Sequence, residues 1–345
     1  MRNPIRHAWT ALRAAALAAC AIGATAMAAQ SATGPSYTDL GPLIASKANG
    51  YDYAYAPVII REGAGWRMIY CSTGKGTDSW DWLRTATSPD GRSWSEPSVL
   101  LRTSGGAGER AACDPSLVRY QARGDAAPYY YLFYSGAPNG TGTAMFVARA
   151  AEIEGPYAKW TGAGWVVDAP DPKPIIRPSV PHADGSGFYG AGQQSVVVRN
   201  GRLYAWFTDD TTCEARCERI YAVQSSDPTA WPAGTPTNVG GSSVDVKLDP
   251  ASGRFALYMI MGAHSFSSYL IRRTSADGVT WGRPEILAGP TAFVHFANNV
   301  GVAGDEQGHL LPGDVMVAFG APSRPDCGTC WARWDLQGGL VGTRP

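Results

Sequence analysis

Among the carboxylates of this 345-residue chain, Asp114 has the most suggestive setting. It sits in "CDPSLVRYQARGDAAPYYYLFYSG" (113–136), where an acid and a proline precede a short apolar strand, a polar turn and an aromatic strand. A carboxylate at the mouth of a strand can orient a polar ligand. Paired with a second carboxylate, it can give and take protons across a scissile bond. The candidate partners are Asp52 in "GYDYAYAP" and Asp209 with Asp210 in "WFTDDT". Asp78, Asp81 and Glu109 fall on loops, and Asp245 falls inside a strand. For any one of these, the ordinary role is a turn former or a solvated loop acid. Gln193 and Gln194, in "GAGQQSVV", have amides suited to hydroxyl-rich ligands, although a strand-start turn accounts for them too. His295, with Asn298 and Asn299, can orient a ligand or hold a cation, and equally suits a satisfied core position. Tyr55, Trp66, Trp80 and Trp82 offer flat apolar faces for stacking, and Trp80 and Trp82 flank Asp81 in "DSWDWL".

A weak repeat must position these residues. Short β-branched strands occur at 57–63, 116–122, 195–201, 244–253 and 299–308. Each leads through a turn to an aromatic or apolar strand, as in "WRMIYCS", "YYYLFYSG" and "RLYAWFTD", and then to a third strand. Four of the units then reach an aromatic: Trp94, Tyr157, Trp231 and Trp281. Alternating strands with such turn chemistry predict antiparallel meanders. Five of them, at a period of about 50–60 residues, predict an all-β, five-bladed β-propeller. The Pro- and Gly-rich stretch 169–190 is a loop inserted before the third unit. "SPDGRSW" (88–94) and "SADGVTW" (275–281) are the clearest repeated pair. Their spacing is one residue short of a sialidase Asp-box, and they serve as structural turns with the Trp packed between blades. The last unit lacks an obvious fourth strand, which "SYTDLGPLI" (36–44) can supply, closing the ring and removing two open edges.

Composition narrows the function. The chain carries 29 Lys+Arg against 29 Asp+Glu, so no basic field attracts nucleic acid. Abundant Gly, Pro, Trp and Tyr suit a turn-dense β protein. Arg2, Arg6 and Arg13 precede an uncharged small-apolar run that ends at an Ala26-Met27-Ala28 cleavage site. Residues 1–28 are thus expected to be an export signal and 29–345 a single domain, periplasmic or extracellular, with no membrane span in the mature chain. "LAAC" at 17–20 also resembles a lipoprotein box, which would anchor the chain through Cys20. Six further cysteines favour disulfides in an exported chain. Cys213 with Cys217 and Cys327 with Cys330 can each close a tight loop, leaving Cys71 for Cys113. The rival arrangement, a four-cysteine zinc site, joins pairs far apart in sequence.

In a propeller the first strand of each blade lines the channel, so the strand starts converge. Alignment gives Ala56, Asp114, Gln193, Ser242 and the span from His295 to Asn298. Here the chain resembles the five-bladed propeller glycoside hydrolases, families 43, 62, 32 and 68, through its blade pattern and through "CDPSLVRY", "SPDGRSW" and "EGPYAKW". The resemblance implies a general base in blade one, a tuning carboxylate in blade two and a general acid in blade three. Only Asp114 matches. Ala56 stands at the base position and Gln193 or Gln194 at the acid position, so the family mechanism does not transfer directly. The expected function is an exported glycan-active protein, monomeric, most simply a glycoside hydrolase. It would use Asp114 with Asp52 or Asp209 and would bind carbohydrate through Gln193, Gln194, Tyr55, Trp80, Trp82, His295 and Asn298. No metal or cofactor is required, although a structural Ca2+ in the central channel is compatible with the resemblance. The alternatives are an inactive carbohydrate-binding propeller and an envelope scaffold.

Overall fold

In the computed structural model, the described residues are 35–46, 53–74, 81–104, 109–138, 142–180, 189–212, 218–241, 243–263, 265, 267–289, 292–293, 296–322 and 334–342. Their regular elements are all strands. The first is β1 (Tyr37–Ile44). A meander follows of β2 (Ala54–Glu62), β3 (Gly65–Thr73), β4 (Asp81–Ser88) and β5 (Ser98–Leu101). The second meander is β6 (Ala112–Tyr120), β7 (Tyr129–Gly136), β8 (Ala144–Ala150), β9 (Ala158–Trp160) and β10 (Trp165–Val167). The third is β11 (Ala191–Arg199), β12 (Arg202–Asp209), β13 (Arg219–Ser225) and β14 (Thr235–Gly240). The fourth is β15 (Asp245–Asp249), β16 (Arg254–Met261), β17 (Tyr269–Ser275) and β18 (Glu285–Ala288). The last strands are β19 (Asn298–Gly304), β20 (Val315–Pro322) and β21 (Trp334–Val341).

The expected borrowed strand is present. β1 pairs antiparallel with β21, so one sheet runs β1-β21-β20-β19 and continues through a short parallel contact of β19 with β2 into β2-β3-β4-β5. Among the described residues no helix is long and apolar enough to cross a membrane.

The turns follow local chemistry. Asn200 and Gly201, both with positive φ, form the two-residue link between Arg199 and Arg202, the geometry that Asn-Gly favours. The repeated Asp-Gly turns are built alike. Asp90 Oδ1 accepts the backbone N–H groups of Arg92 and Ser93, and Asp277 Oδ1 those of Val279 and Thr280. These amides hold both carboxyls down at about 2. Trp281 packs edge-on to Trp206, whose Nε1 donates to the Gly278 carbonyl at 2.7 Å. The sequence expectation that this Trp sits between meanders therefore holds.

The core consists of apolar clusters shared between successive meanders. Leu83 and Ile69 of the first meet Leu117 and Phe146 of the second. Val147 and Phe133 meet Val196 and Phe207, and Trp206 meets Phe255 and Leu257. Tyr258 and Leu270 meet Val317 and Phe319, and Met316 and Leu336 meet Met68 and Tyr70. The leading strands are also stitched by side chains. Ser116 Oγ accepts the Val196 N–H at 2.9 Å, Ser195 Oγ that of Val246 at 2.9 Å, and Asp245 Oδ2 that of Val302 at 2.6 Å.

At the far ends of these strands, the segment after β19 forms a floor. Carbonyls of Glu306, Gln307 and Gly308 accept N–H groups from Arg119, Val198 and Leu248 at 2.6, 2.9 and 3.0 Å. Tyr130 donates to Glu306 Oε1 at 2.7 Å, and His309 Nε2 lies 2.7 Å from the Val198 carbonyl oxygen.

Candidate active site

Five residues with left-handed backbone line one small cavity of about 40 Å³: Ala56, Asp114, Gln193, Ser243 and Asn299. In β2, β6, β11 and β19 they fall where the pairing register slips. Such bulges re-aim side chains at the end of a sheet. Bulky L-residues avoid this conformation, so its recurrence in five leading segments points to a shared geometric demand. Sequence alignment had identified three of the five positions. It was one residue early at Ser242, and it spanned His295–Asn298 where the structure uses Asn299.

Asp114 is the carboxylate at the centre of this group. Oδ2 accepts the Tyr189 hydroxyl at 2.8 Å, and Oδ1 accepts Asn299 Nδ2 at 3.0 Å. Its backbone N–H points at Cys71 Sγ at 2.9 Å, and its carbonyl accepts Gln194 Nε2. Burial lifts the Asp114 carboxyl above its usual value, while hydrogen bonds from Tyr189, Ser135 and Asn299 oppose the lift. Ser135 Oγ accepts the Gln193 N–H at 2.9 Å and lies 3.1 Å from the Tyr189 hydroxyl. Cys71 and Cys113 form the expected disulfide and tie β3 to β6 beside Asp114.

The other predicted residues divide. Gln193 and Gln194 line the cavity with Asp114. Tyr55 lies with its hydroxyl 3.1 Å from Cys113 Sγ and 3.3 Å from Asp81 Oδ2. Asp209 is fully buried, and its oxygens accept Ser179 N–H, Thr211 N–H and Thr211 Oγ1 at 2.8, 2.9 and 2.6 Å. Asp210 likewise accepts the N–H groups of Tyr189 and Gly190. The two acids hold the inserted loop at Ser179 and at its end, Tyr189 and Gly190. Asp245 lines the cavity but is engaged by Ser195, Lys247 and Val302. Asn298 pairs with Gly320 on β20, and its neighbour Asn299 reaches Asp114. Trp82 lies under the Arg102 guanidinium, 5.4 Å from the ring centre. Asp52, Asp78, Trp80, His295, the export segment with Cys20, and Cys213, Cys217, Cys327 and Cys330 lie outside the described residues.

Two site residues escaped the sequence reading. Ser135 ends an aromatic strand whose apolar pattern dominates, and Tyr189 belongs to the Pro/Gly-rich insertion. The one available signal was the position of Tyr189 directly before the Gly-rich start of β11.

The cavity also bears on the expected calcium. Gln193 Oε1, Ser243 Oγ and Asn299 Oδ1 are buried and accept no hydrogen bond from the described residues. Acceptor oxygens of this kind suit sugar hydroxyls and hard cations alike.

No family model and no curated protein sequence matches the chain. Solved structures do. An α-L-arabinofuranosidase from Podospora anserina, in complex with cellotriose, superposes with a TM-score of 0.62 at 14% identity, covering 91% of this chain and 98% of that one. The catalytic domain of a family 62 α-L-arabinofuranosidase from Coprinopsis cinerea gives 0.61 at 12% identity over 90% and 98%. A family 117 glycoside hydrolase of the marine bacterium Zobellia galactanivorans gives 0.59 at 15% identity over 90% of each chain. The chain has the fold of these glycoside hydrolases. On this glycoside hydrolase fold, the leading segments present one carboxylate, Asp114, together with uncharged Ala56, Gln193, Ser243 and Asn299.

Proposed function

We propose that the chain is an exported glycoside hydrolase whose five meanders are the blades of a closed five-bladed propeller, with β1 completing the last blade. The closed ring is supported by the apolar clusters between successive meanders, including the one that joins the last to the first. Export is supported by the Cys71–Cys113 disulfide, a bond typical of oxidising compartments.

The observation that carries the functional reading is the convergence of five left-handed residues on a cavity centred on a half-buried, hydrogen-bonded Asp114. Strain concentrated at one end of one channel marks a built site. A carboxylate among amides and phenols suits a sugar, whose hydroxyls both donate and accept. In this reading Asp114 is the carboxylate that works at the reacting sugar. Gln193, Ser243 and Asn299 accept sugar hydroxyl hydrogens, and Tyr189 and Asp210 fix the loop beside them. The substrate proposed is an arabinofuranosyl- or xylosyl-bearing oligosaccharide, because the solved neighbours include arabinofuranosidases and a hydrolase in complex with xylotriose.

A second reading, a propeller that binds sugar without cleaving it, is favoured by Ala56 and Gln193. Neither can act as a base or an acid. One experiment separates the two. The signal-free protein is incubated with arabinoxylan, arabinan, xylo-oligosaccharides and aryl glycosides. Reducing-sugar release that is lost in Asp114→Asn supports hydrolysis. Saturable binding without release supports the second reading.

A further inference from the structure

Hydrolysis through protein acids needs a second ionisable group, and neither Ala56 nor Gln193 supplies one. Most of the described acids around the site are already committed. Asp209 and Asp210 are taken up by loop backbone, and Asp245 by Ser195, Lys247 and Val302. Glu109 is fully buried and ion-paired with Lys159. Asp81 differs from all of these.

Asp81 opens β4 opposite Thr73, beside the residues that lead β2 into its bulge. Tyr53 and Tyr55, two positions apart and so on one face of the chain, direct their hydroxyls at its two oxygens. Tyr53 bonds Oδ1, and Tyr55 lies 3.3 Å from Oδ2. Tyr55 is locked in turn. Its ring meets Trp334 edge-on at 6.3 Å, and Gly320 approaches so closely that an added Cβ would lie 2.7 Å from Tyr55 Cβ. The Tyr55 hydroxyl also lies 3.1 Å from Cys113 Sγ, and a carboxylate oxygen of Asp114 lies within 4.8 Å of that sulfur. The Tyr55 hydroxyl and the Cys113 sulfur thus link the Asp81 and Asp114 carboxyls in one chain of contacts.

We infer that Asp81 is the proton donor of this site and acts with Asp114 across Tyr55. The inference rests on the hydrolase reading above and adds its second carboxyl. The Asp81 carboxyl gives its proton to the glycosidic oxygen as the bond from that oxygen to the anomeric carbon breaks. Water adds its oxygen to the anomeric carbon and passes a proton to the Asp114 carboxylate. Proton exchange with solvent then returns both groups to their starting states, so the net reaction consumes one water and one glycoside. Electrostatics agree with the geometry. Burial pushes Asp81 up to about 6, the Asp114 charge adds to the rise, and the Tyr53 and Tyr55 hydrogen bonds oppose it. A carboxyl titrating there is still partly protonated near neutral pH, as a general acid must be.

The test uses the signal-free full chain and compares p-nitrophenyl α-L-arabinofuranoside and p-nitrophenyl β-D-xyloside with xylo-oligosaccharides and arabino-xylo-oligosaccharides. Asp81→Asn should lower kcat on the oligosaccharides roughly 100- to 10,000-fold. The loss should be much smaller on the aryl glycosides, whose leaving group needs little protonation, and the basic limb of the pH–rate profile should vanish. Tyr53→Phe removes a bond that lowers the Asp81 value, so that limb should move to higher pH. Thermal melts of both variants check folding. Turnover with an unchanged pH limb in Asp81→Asn, or equal losses on both substrate types, overturns the role of Asp81 and leaves hydrolysis standing. No turnover by the wild type on any substrate overturns the hydrolase reading and the proton donor together.

Discussion

Tyr189 donates its phenolic hydrogen to Asp114 Oδ2 at 2.8 Å, joining an inserted loop to a leading strand 75 positions earlier. That bond favours the ionised carboxylate, whereas burial disfavours it. In Tyr189→Phe the Asp114 value should therefore rise further. A carboxyl whose folded value lies above its unfolded value destabilises the protein as pH rises through that interval. The variant should be about 1.5–3 kcal/mol less stable than wild type at pH 8, the range for hydrogen bonds to charged groups. The gap should narrow toward pH 4. Urea melts at the two pH values measure both.

The Cys71–Cys113 bridge closes a loop of sequence separation 42 and supplies the sulfur beside the Asp114 N–H. Chain-entropy arguments put the loss for a loop of this length at about 4 kcal/mol. Replacing both cysteines by alanine should lower the denaturant midpoint accordingly. It should also weaken oligosaccharide binding, because Asp114 loses a tether. A stability loss with unchanged binding would assign the bridge to stability alone.

His309 faces two acceptors. Nε2 lies 2.7 Å from the Val198 carbonyl oxygen and Nδ1 3.3 Å from Asp305 Oδ2. Both contacts suit the imidazolium. The Asp305 bond is the leading cause of its raised value, and burial works against it. Asp305 shifts the opposite way, downward through its bonds to His309 and Gln307 despite burial. The raised histidine stabilises fully below about pH 6.5, its unfolded value, and this contribution is lost as pH climbs through the folded value. Relative to His309→Gln, the wild type should lose on the order of 1–3 °C of Tm advantage between about pH 6 and pH 8. Differential scanning fluorimetry across that range reads it directly.

β1 pairs with β21 from Tyr37↔Val341 to Ile44↔Leu336, and Leu43 and Ile44 enter the cluster shared with Met68 and Tyr70. Deleting residues 36–44 should expose the edge of β21, lower Tm and promote concentration-dependent association. Light scattering at several concentrations detects the association. A deletion protein that stays monomeric with wild-type Tm would show that β1 is dispensable.

Much of the architecture is readable from the chain because strand alternation, Asp-Gly turns and the "SYTDLGPLI" edge strand are local signals. The bulges are not. Ala56, Asp114, Gln193, Ser243 and Asn299 share a backbone conformation but no residue type, so alignment by strand start falls one short at Ser243 and gives a span, His295 to Asn298, that stops before Asn299. Asp81 reads as a loop acid because nothing in "DSWDWL" records that Tyr53 and Tyr55, flanking Ala54 at the start of β2, hydrogen-bond its two oxygens. Tyr189 and Ser135 meet Asp114 only through tertiary packing, so neither had a local signature.

Glu306, Gln307 and Gly308 bind the far ends of β6, β11 and β15 through their backbone carbonyls. If the strands close a ring as proposed, this segment crosses the end opposite Asp114, and a polysaccharide could not thread past it. A hydrolase of that form would admit a chain end or side branch and release each cut fragment by the same doorway.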